Sequence, residues 1–355
     1  MPKSLLNNRL VNITAGLLLV CVLGWLLVIG RDILIPLIIA IVIWYVLDTV
    51  ARYFQSISLG GFHVPRVLAV LLALAISILL VLLAMDMIAT NARSLAQDAP
   101  SYQLRIEAKI NHILGVFAPD VKLNMSRFND LFNLEKLVSW VVSAVSGFLG
   151  IASLVIIYII FIVSEQAAIP KKITALFTDT EQRDQVNATL DRLDKNIRTY
   201  LTVKTFVSLL TGVLCYIVLA LFDVNYPAFW GFIAFLLNYI PTIGSLISVI
   251  FPALLSLVQF DSYLPFFGVS IVLTMVQFSI GNILEPYLMG SRLNLSGLVI
   301  ILALAVWGAI WGITGMILSV PIMVIIMLLL SSMPSTRPIA ILLSSNGVID
   351  EENNN

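Results

Sequence analysis

The chain has 355 residues, with 20 Lys plus Arg against 20 Asp plus Glu, 60% apolar residues, 11% charged residues and a mean hydropathy of +1.02. Soluble domains carry about 25% charged residues, so a chain this apolar has to show part of its surface to lipid. The balanced charge argues against nucleic acid as a partner, and Cys21 and Cys215, both inside apolar runs, imply neither a disulfide framework nor a metal site.

The first apolar run covers residues 11–30, and Arg31-Asp32 separates it from a second at 33–54. Lys3 and Arg9 precede it in the manner of a signal peptide. Its length and the second run directly behind it favour an uncleaved span. A third run covers 64–90 and a fourth 138–164, and the chain is almost continuously apolar from 203 to 333. The fold class read from this pattern is an all-α polytopic membrane protein with about eight hydrophobic segments. Residues 1–90 form three transmembrane helices, 138–165 a fourth, and 203–333 the core.

Two polar stretches flank the fourth span. In 91–137, Ile106, Ile110, Ile113 and Leu114 fall at helical spacing, as expected of an extracytoplasmic helical segment. In 166–202, Val186, Leu190, Leu193, Ile197 and Tyr200 form a cleaner stripe, with Asp191-Lys195 and Asp194-Arg198 at i,i+4. This segment reads as a cytoplasmic amphipathic helix feeding the fifth span. Orientation follows from the basic residues at span ends. With the N-terminus inside, Lys3, Arg9, Arg52 and Arg66 face the cytoplasm, and the C-terminus lies there too. No Gly-rich phosphate loop, HExxH or Cys/His cluster occurs, so there is no candidate for catalysis, a metal or a cofactor.

The most informative feature is a length mismatch. Residues 226–260 carry no charge, and neither do residues 293–336. As straight helices their apolar parts would be about 50 Å or longer, against a hydrocarbon core of about 30 Å. Both contain breakers: Asn238-Tyr239-Ile240-Pro241-Thr242-Ile243-Gly244 in the first, and Gly308, Gly312, Gly315 and Pro321 in the second. Broken backbone at membrane depth survives where it is buried in protein or lines a cavity. Such paired interruptions point to a transporter's binding site. Read as re-entrant hairpins, 226–260 opens outward and 296–332 inward, so that each hairpin and the span before it make one half of an inverted repeat. A pair of kinked, tilted helices is the alternative.

The same residues carry a family likeness. Asn238 to Gly244 with Pro252 following, then Asn282-Ile-Leu-Glu-Pro-Tyr-Leu-Met-Gly290, Leu293-Asn-Leu-Ser, Trp307-Gly308, Gly312, Gly315 and Val320-Pro321, resemble the blocks of the AI-2E family of autoinducer-2 exporter-like transporters. The likeness runs over nearly the whole chain. It implies a bacterial inner-membrane exporter energised by an ion gradient, moving a small polar solute such as autoinducer-2, or exchanging sodium or lithium for protons. It also implies a homo-oligomer, a pentamer in the family. A membrane scaffold without transport, docking through 91–137, is the reading from another class.

Ionisable groups within spans are costly and so are functional candidates by default. Glu285 leads, after a span containing Gln277 and Asn282 and before Pro286 and Gly290. It could hold a coupling cation or proton, or pair with Arg292 and only fix the loop. Asn238, Pro241, Thr242 and Gly244 either satisfy freed backbone groups or meet cargo, and Gly308, Gly312, Gly315 and Pro321 act as conformational breaks. Asp48 has Arg52 at i+4 and reads as an interfacial pair, while Asp86 either snorkels outward or takes a proton. Residues 334–355 are expected to be a flexible cytoplasmic tail.

Overall fold

The structure is a computed structural model describing residues 3–56, 65–117, 134–166, 168–289, 295–331 and 335–347. These residues are helical apart from turns and one isolated bridge between Leu295 and Ser344. The helices are α1 (Lys3–Ile29), α2 (Arg31–Ser56), α3 (Arg66–Phe117), α4 (Leu134–Gln166), α5 (Ile169–Leu176) and α6 (Thr180–Leu221). They continue with α7 (Pro227–Leu237), α8 (Ile243–Gln259), α9 (Leu264–Ser279), a π-turn (Ile280–Leu284), α10 (Glu285–Met289), α11 (Gly297–Ser331) and α12 (Arg337–Leu343).

Among the described residues, five helices are long and apolar enough to cross a membrane, and α4 with α5 makes a sixth if that pair, bent by 55°, counts as one span. Leu79, Leu80, Leu82 and Leu83 on α3 and Leu17, Leu18 and Leu19 on α1 are exposed. A contiguous apolar surface of this kind is unfavourable in water and suits hydrocarbon. The membrane class therefore holds.

Two compact units divide the chain, one of residues 1–44, 152–190 and 294–355, the other of residues 45–151 and 191–293. In the second unit α3 does not stop where its composition turns polar. It runs unbroken past residue 90 and through Pro100 to Phe117, so the third span and residues 91–117 of the polar segment are one helix. Its polar extension is spent on tertiary contacts. Lys109 Nζ donates to the carbonyls of Leu257 and Phe260 at 2.7 and 2.5 Å, and Arg105 to that of Gln259 at 3.2 Å. These are the last carbonyls of α8, which have no partner inside their own helix and attract cations. The stripe from Val186 to Tyr200 and the fifth span are likewise one helix, α6.

The first overlong run doubles back. At its open end Asn225 N–H donates to Gln259 Oε1 at 2.7 Å, and Gln259 Nε2 donates to the Asp223 carbonyl at 2.6 Å, tying the start of α7 to the end of α8. At its closed end residues 238–242 form the turn, with Thr242 at φ 64°. A Cβ on Gly244 would lie 1.8 Å from the Leu237 carbonyl oxygen, so only glycine permits the two arms to meet there. Further along, Gly212 of α6 and Gly231 of α7 each present a bare backbone to the other, within 2.8 Å of where a Cβ would sit.

In the other unit the second overlong run shows the same construction. Gly312 breaks α11 at φ 63°, ψ −141°. Gly315 then packs so closely that a Cβ would fall 1.9 Å from the Trp307 carbonyl oxygen. In a straight helix those two positions would be about 12 Å apart along the axis. Ala303, Trp307 and Trp311 accordingly share a cluster with Ile322, Met323 and Ile326 from beyond the break, and with Leu27, Leu34, Ile35 and Ile38. Both runs therefore fold back on themselves, and neither is a single helix tilted to fit the bilayer.

The tail departs from expectation. Residues 335–347 are packed: Ala340 of α12 is fully buried, Ser296 N–H donates to the Leu343 carbonyl at 3.0 Å, and Thr336 Oγ1 donates to the Leu330 carbonyl at 2.8 Å. Pro338 marks a helix start there and not a flexible linker.

Asp48 is more than half of a pair. It is 2% exposed and receives Arg52 Nε at 2.8 Å, Arg198 at 2.7 Å and Arg66 at 3.7 Å, with the Arg198 guanidinium over the Tyr45 ring. Asp194 meets Arg198 from its other side at 3.4 Å. Asp48→Asn should cost about 2–4 kcal/mol, because it leaves a cationic cluster without its buried counter-charge. Thermal unfolding of the detergent-purified protein measures it, and an unchanged midpoint would reduce Asp48 to a surface pair.

Candidate functional site

The site is assembled in the second unit from one face of α6, the tip of the α7–α8 hairpin, and α9 with its π-turn. On α6, Tyr200, Lys204, Ser208, Thr211 and Gly212 recur every one to four residues on the buried face, which draws a polar stripe along a membrane-length helix. Asn238, at the hairpin tip, donates from Nδ2 to Ser208 Oγ at 3.0 Å. The next residue, Tyr239, donates its hydroxyl to Thr205 Oγ1 at 2.9 Å. Both tip residues therefore bind α6 through side chains, while the turn bonds most of its own backbone donors: the N–H groups of Asn238, Tyr239 and Ile240 reach the carbonyls of Ala234, Leu236 and Leu237, Ile243 N–H that of Pro241 at 2.6 Å and Gly244 N–H that of Ile240 at 3.1 Å.

One helical turn along α6 from Ser208 lies the charged element. Lys204 Nζ is 2.6 Å from Glu285 Oε1, and the two side chains are 5% and 20% exposed. An ion pair withdrawn from water forgoes hydration on both sides, and its geometry has to compensate. Glu285 reaches this position through the π-turn. A π-turn inserts one residue, which shifts the helix behind it by about 100°. In an unbroken α-helix Glu285 would lie roughly 80° around from Gln277, whereas the insertion brings it to within about 20°. Gln277 and Ile280 are buried on that face.

The open end of the hairpin carries a second polar junction. Tyr226 donates to the Asp98 carboxylate and Asn225 Nδ2 donates to the Tyr102 hydroxyl at 2.8 Å. Burial, reinforced by that carboxylate, raises the Tyr226 phenol above its ordinary value. It stays protonated and keeps donating.

Comparison with known proteins places this arrangement. The sequence profile for "AI-2E family transporter" matches residues 15–335. The chain belongs to the AI-2E transporter family. It is similar to a "Putative transport protein" of Haemophilus influenzae, 31% identical over 79% of this chain and 82% of the relative. It is also similar to the "AI-2 transport protein TqsA" of Escherichia coli, 29% identical over 93% and 96% of the two chains, and to the "Putative transport protein YhhT" of the same species, 28% identical over 88% of each.

Against that family background the predicted residues sort by position. Asn238 and Gln277 are buried and Glu285 is half-buried, all three in the second unit. Pro241 and Gly244 shape the tip, while Thr242 is exposed, its carbonyl accepting from Ser245 Oγ. Asn282 turns outward and donates to the Phe278 carbonyl of its own helix, and Pro286 is exposed beside it. Gly308, Gly312, Gly315 and Pro321 all belong to the second hairpin. Gly290 and Arg292 lie outside the described residues. Glu285 finds its partner in Lys204, 81 positions away, where the sequence offered Arg292. Lys204 and Ser208 were missed. Their one signal was a lysine at the mouth of an apolar run, which reads equally as a topology marker.

Proposed function

We propose that the protein is a secondary transporter that exports a small polar solute across the bacterial inner membrane, coupled to an ion gradient. The observation that carries this reading is the buried Lys204–Glu285 pair beside a broken-helix tip whose Asn238 binds the same face of α6. A helix broken at membrane depth, with its tip side chains turned to a polar helix face, is the kind of place where secondary transporters hold solute and ion. Glu285 is the coupling carboxylate. When a cation or proton occupies it, Lys204 is released, and the tip changes partners with it. The E. coli relative's name supports autoinducer-2 as the first cargo to test.

Sodium or lithium exchange for protons is the second reading, favoured by that same carboxylate. A scaffold without transport fits less well, since the extension of α3 is already engaged at Arg105 and Lys109 with the end of the hairpin. The assembly is a homo-oligomer, pentameric as the family resemblance implies, with both termini cytoplasmic.

Efflux from proteoliposomes, with autoinducer-2, sodium and the proton gradient varied separately, tests the function. Gradient-dependent autoinducer-2 efflux supports export, sodium flux alone supports the antiporter, and no flux of either defeats both. Re-entry has its own test in a background without Cys21 and Cys215. A cysteine at Asp261 should label from outside the cell and one at Tyr287 only from inside. The reverse pattern would make the first hairpin cross the bilayer.

A further inference from the structure

We propose that Gln277 is a cargo-recognising residue whose side-chain amide donates to an oxygen of the transported solute, so that the cargo is a hydroxyl- or carbonyl-bearing small molecule and not a bare metal cation. The proposal rests on the transporter reading and gives it a substrate class.

Two buried side-chain polar atoms among the described residues have no hydrogen-bond partner, Trp230 Nε1 and Gln277 Nε2. They differ in setting. Trp230 is enclosed by its own hairpin, edge-on to Phe229 and stacked on Phe251, where the ring is the reason for the residue. Gln277 is 8% exposed and follows Val269 and Leu273 on the buried face of α9. Leucine would serve that face by shape alone. A buried amide N–H without an acceptor is a costly choice, which is intelligible when the acceptor arrives with the cargo.

Position adds to this. Gln277 lies just before the π-turn that brings Glu285 onto the same side of the helix, and π-turns recur at functional sites. The group left open is a donor. The Nε2 N–H is matched by oxygen lone pairs, whereas a bare cation would need the carboxamide turned to present its oxygen. A solute with hydroxyl or carbonyl oxygens would therefore meet the amide while the ion deals with Glu285, and the two ligands would occupy one helix face without competing for one group. A site built to hydrogen-bond a substrate oxygen also rejects analogues that lack it.

The test uses the full-length protein in proteoliposomes with autoinducer-2 and, in parallel, sodium. Gln277→Leu should fold as well as the parent or melt later, since it removes the open donor, yet raise the KM for autoinducer-2 about tenfold. Gln277→Glu, which replaces the donor by oxygens, should lose autoinducer-2 transport and gain no sodium flux. Wild-type transport by Gln277→Leu overturns the proposal, and so does sodium flux gained by Gln277→Glu. If the wild type moves no autoinducer-2, the export reading fails on that arm alone. Thermal shifts with autoinducer-2 and with small polyols then judge Gln277 separately. A ligand-induced shift that Gln277→Leu loses sustains it, and the lack of any such shift overturns it.

Discussion

Glu285→Gln should abolish gradient-driven flux and also lower the melting temperature, and the two effects can be separated. Lys204 is almost fully enclosed and has Glu285 at 2.6 Å. Removing one partner of such a pair leaves an ammonium with no counter-charge, at a cost of about 3 kcal/mol or more. The double variant Lys204→Met/Glu285→Gln removes both charges and keeps the volume, so it should recover most of that stability. It should not recover flux, because the exchangeable carboxylate is gone. Melting by size-exclusion fluorescence and efflux from proteoliposomes read the two quantities independently. Flux restored in the double variant would show that the pair only holds helices together, and would remove Glu285 from the mechanism.

Gly244→Ala and Gly315→Ala should be the most damaging small substitutions in the chain. Each would place a Cβ less than 2 Å from a backbone carbonyl oxygen, of Leu237 in the first hairpin and Trp307 in the second. Overpacking a core commonly costs about 1–3 kcal/mol when side chains can rearrange. A carbonyl in a helix cannot rotate away without opening its own hydrogen bond, so the arms of the hairpin must splay. Expected outcomes are a large fall in folded yield and flux reduced about a hundredfold or more in what remains. Gly24→Ala in α1, where a Cβ would meet nothing within 4 Å, is the control for adding a methyl group to a membrane helix. Normal flux in Gly244→Ala would mean that the tight turn is dispensable.

Several of these elements were legible before any fold was known. Two uncharged runs longer than a bilayer is thick, each with glycine or proline near its middle, already pointed to a break, with a kinked and tilted helix as the alternative. Asn238, Pro241 and Gly244 fell within the predicted turn, and the same blocks identified the family. Boundaries drawn on composition did less well. α3 crosses from apolar to polar at residue 90 without interruption, because Arg105 and Lys109 gain carbonyl partners from α8 that composition does not register. Residues 334–355 looked polar and loose; Ala340 anchors 335–347, and the rest lie outside the described residues.

What the sequence determined by itself is therefore the membrane class, the two interruptions and the family, all of which follow from one-dimensional quantities: hydropathy, run length, and the order of short blocks. Tertiary structure decided what each polar residue touches. Glu285 pairs with Lys204 because a π-turn rotates it onto the buried face and α6 passes there, a meeting of positions 81 apart that no spacing rule encodes. Asp48 gathers Arg198 from 150 positions away for the same reason. In a span a charge takes the partner nearest in space, since hydrocarbon offers it no other.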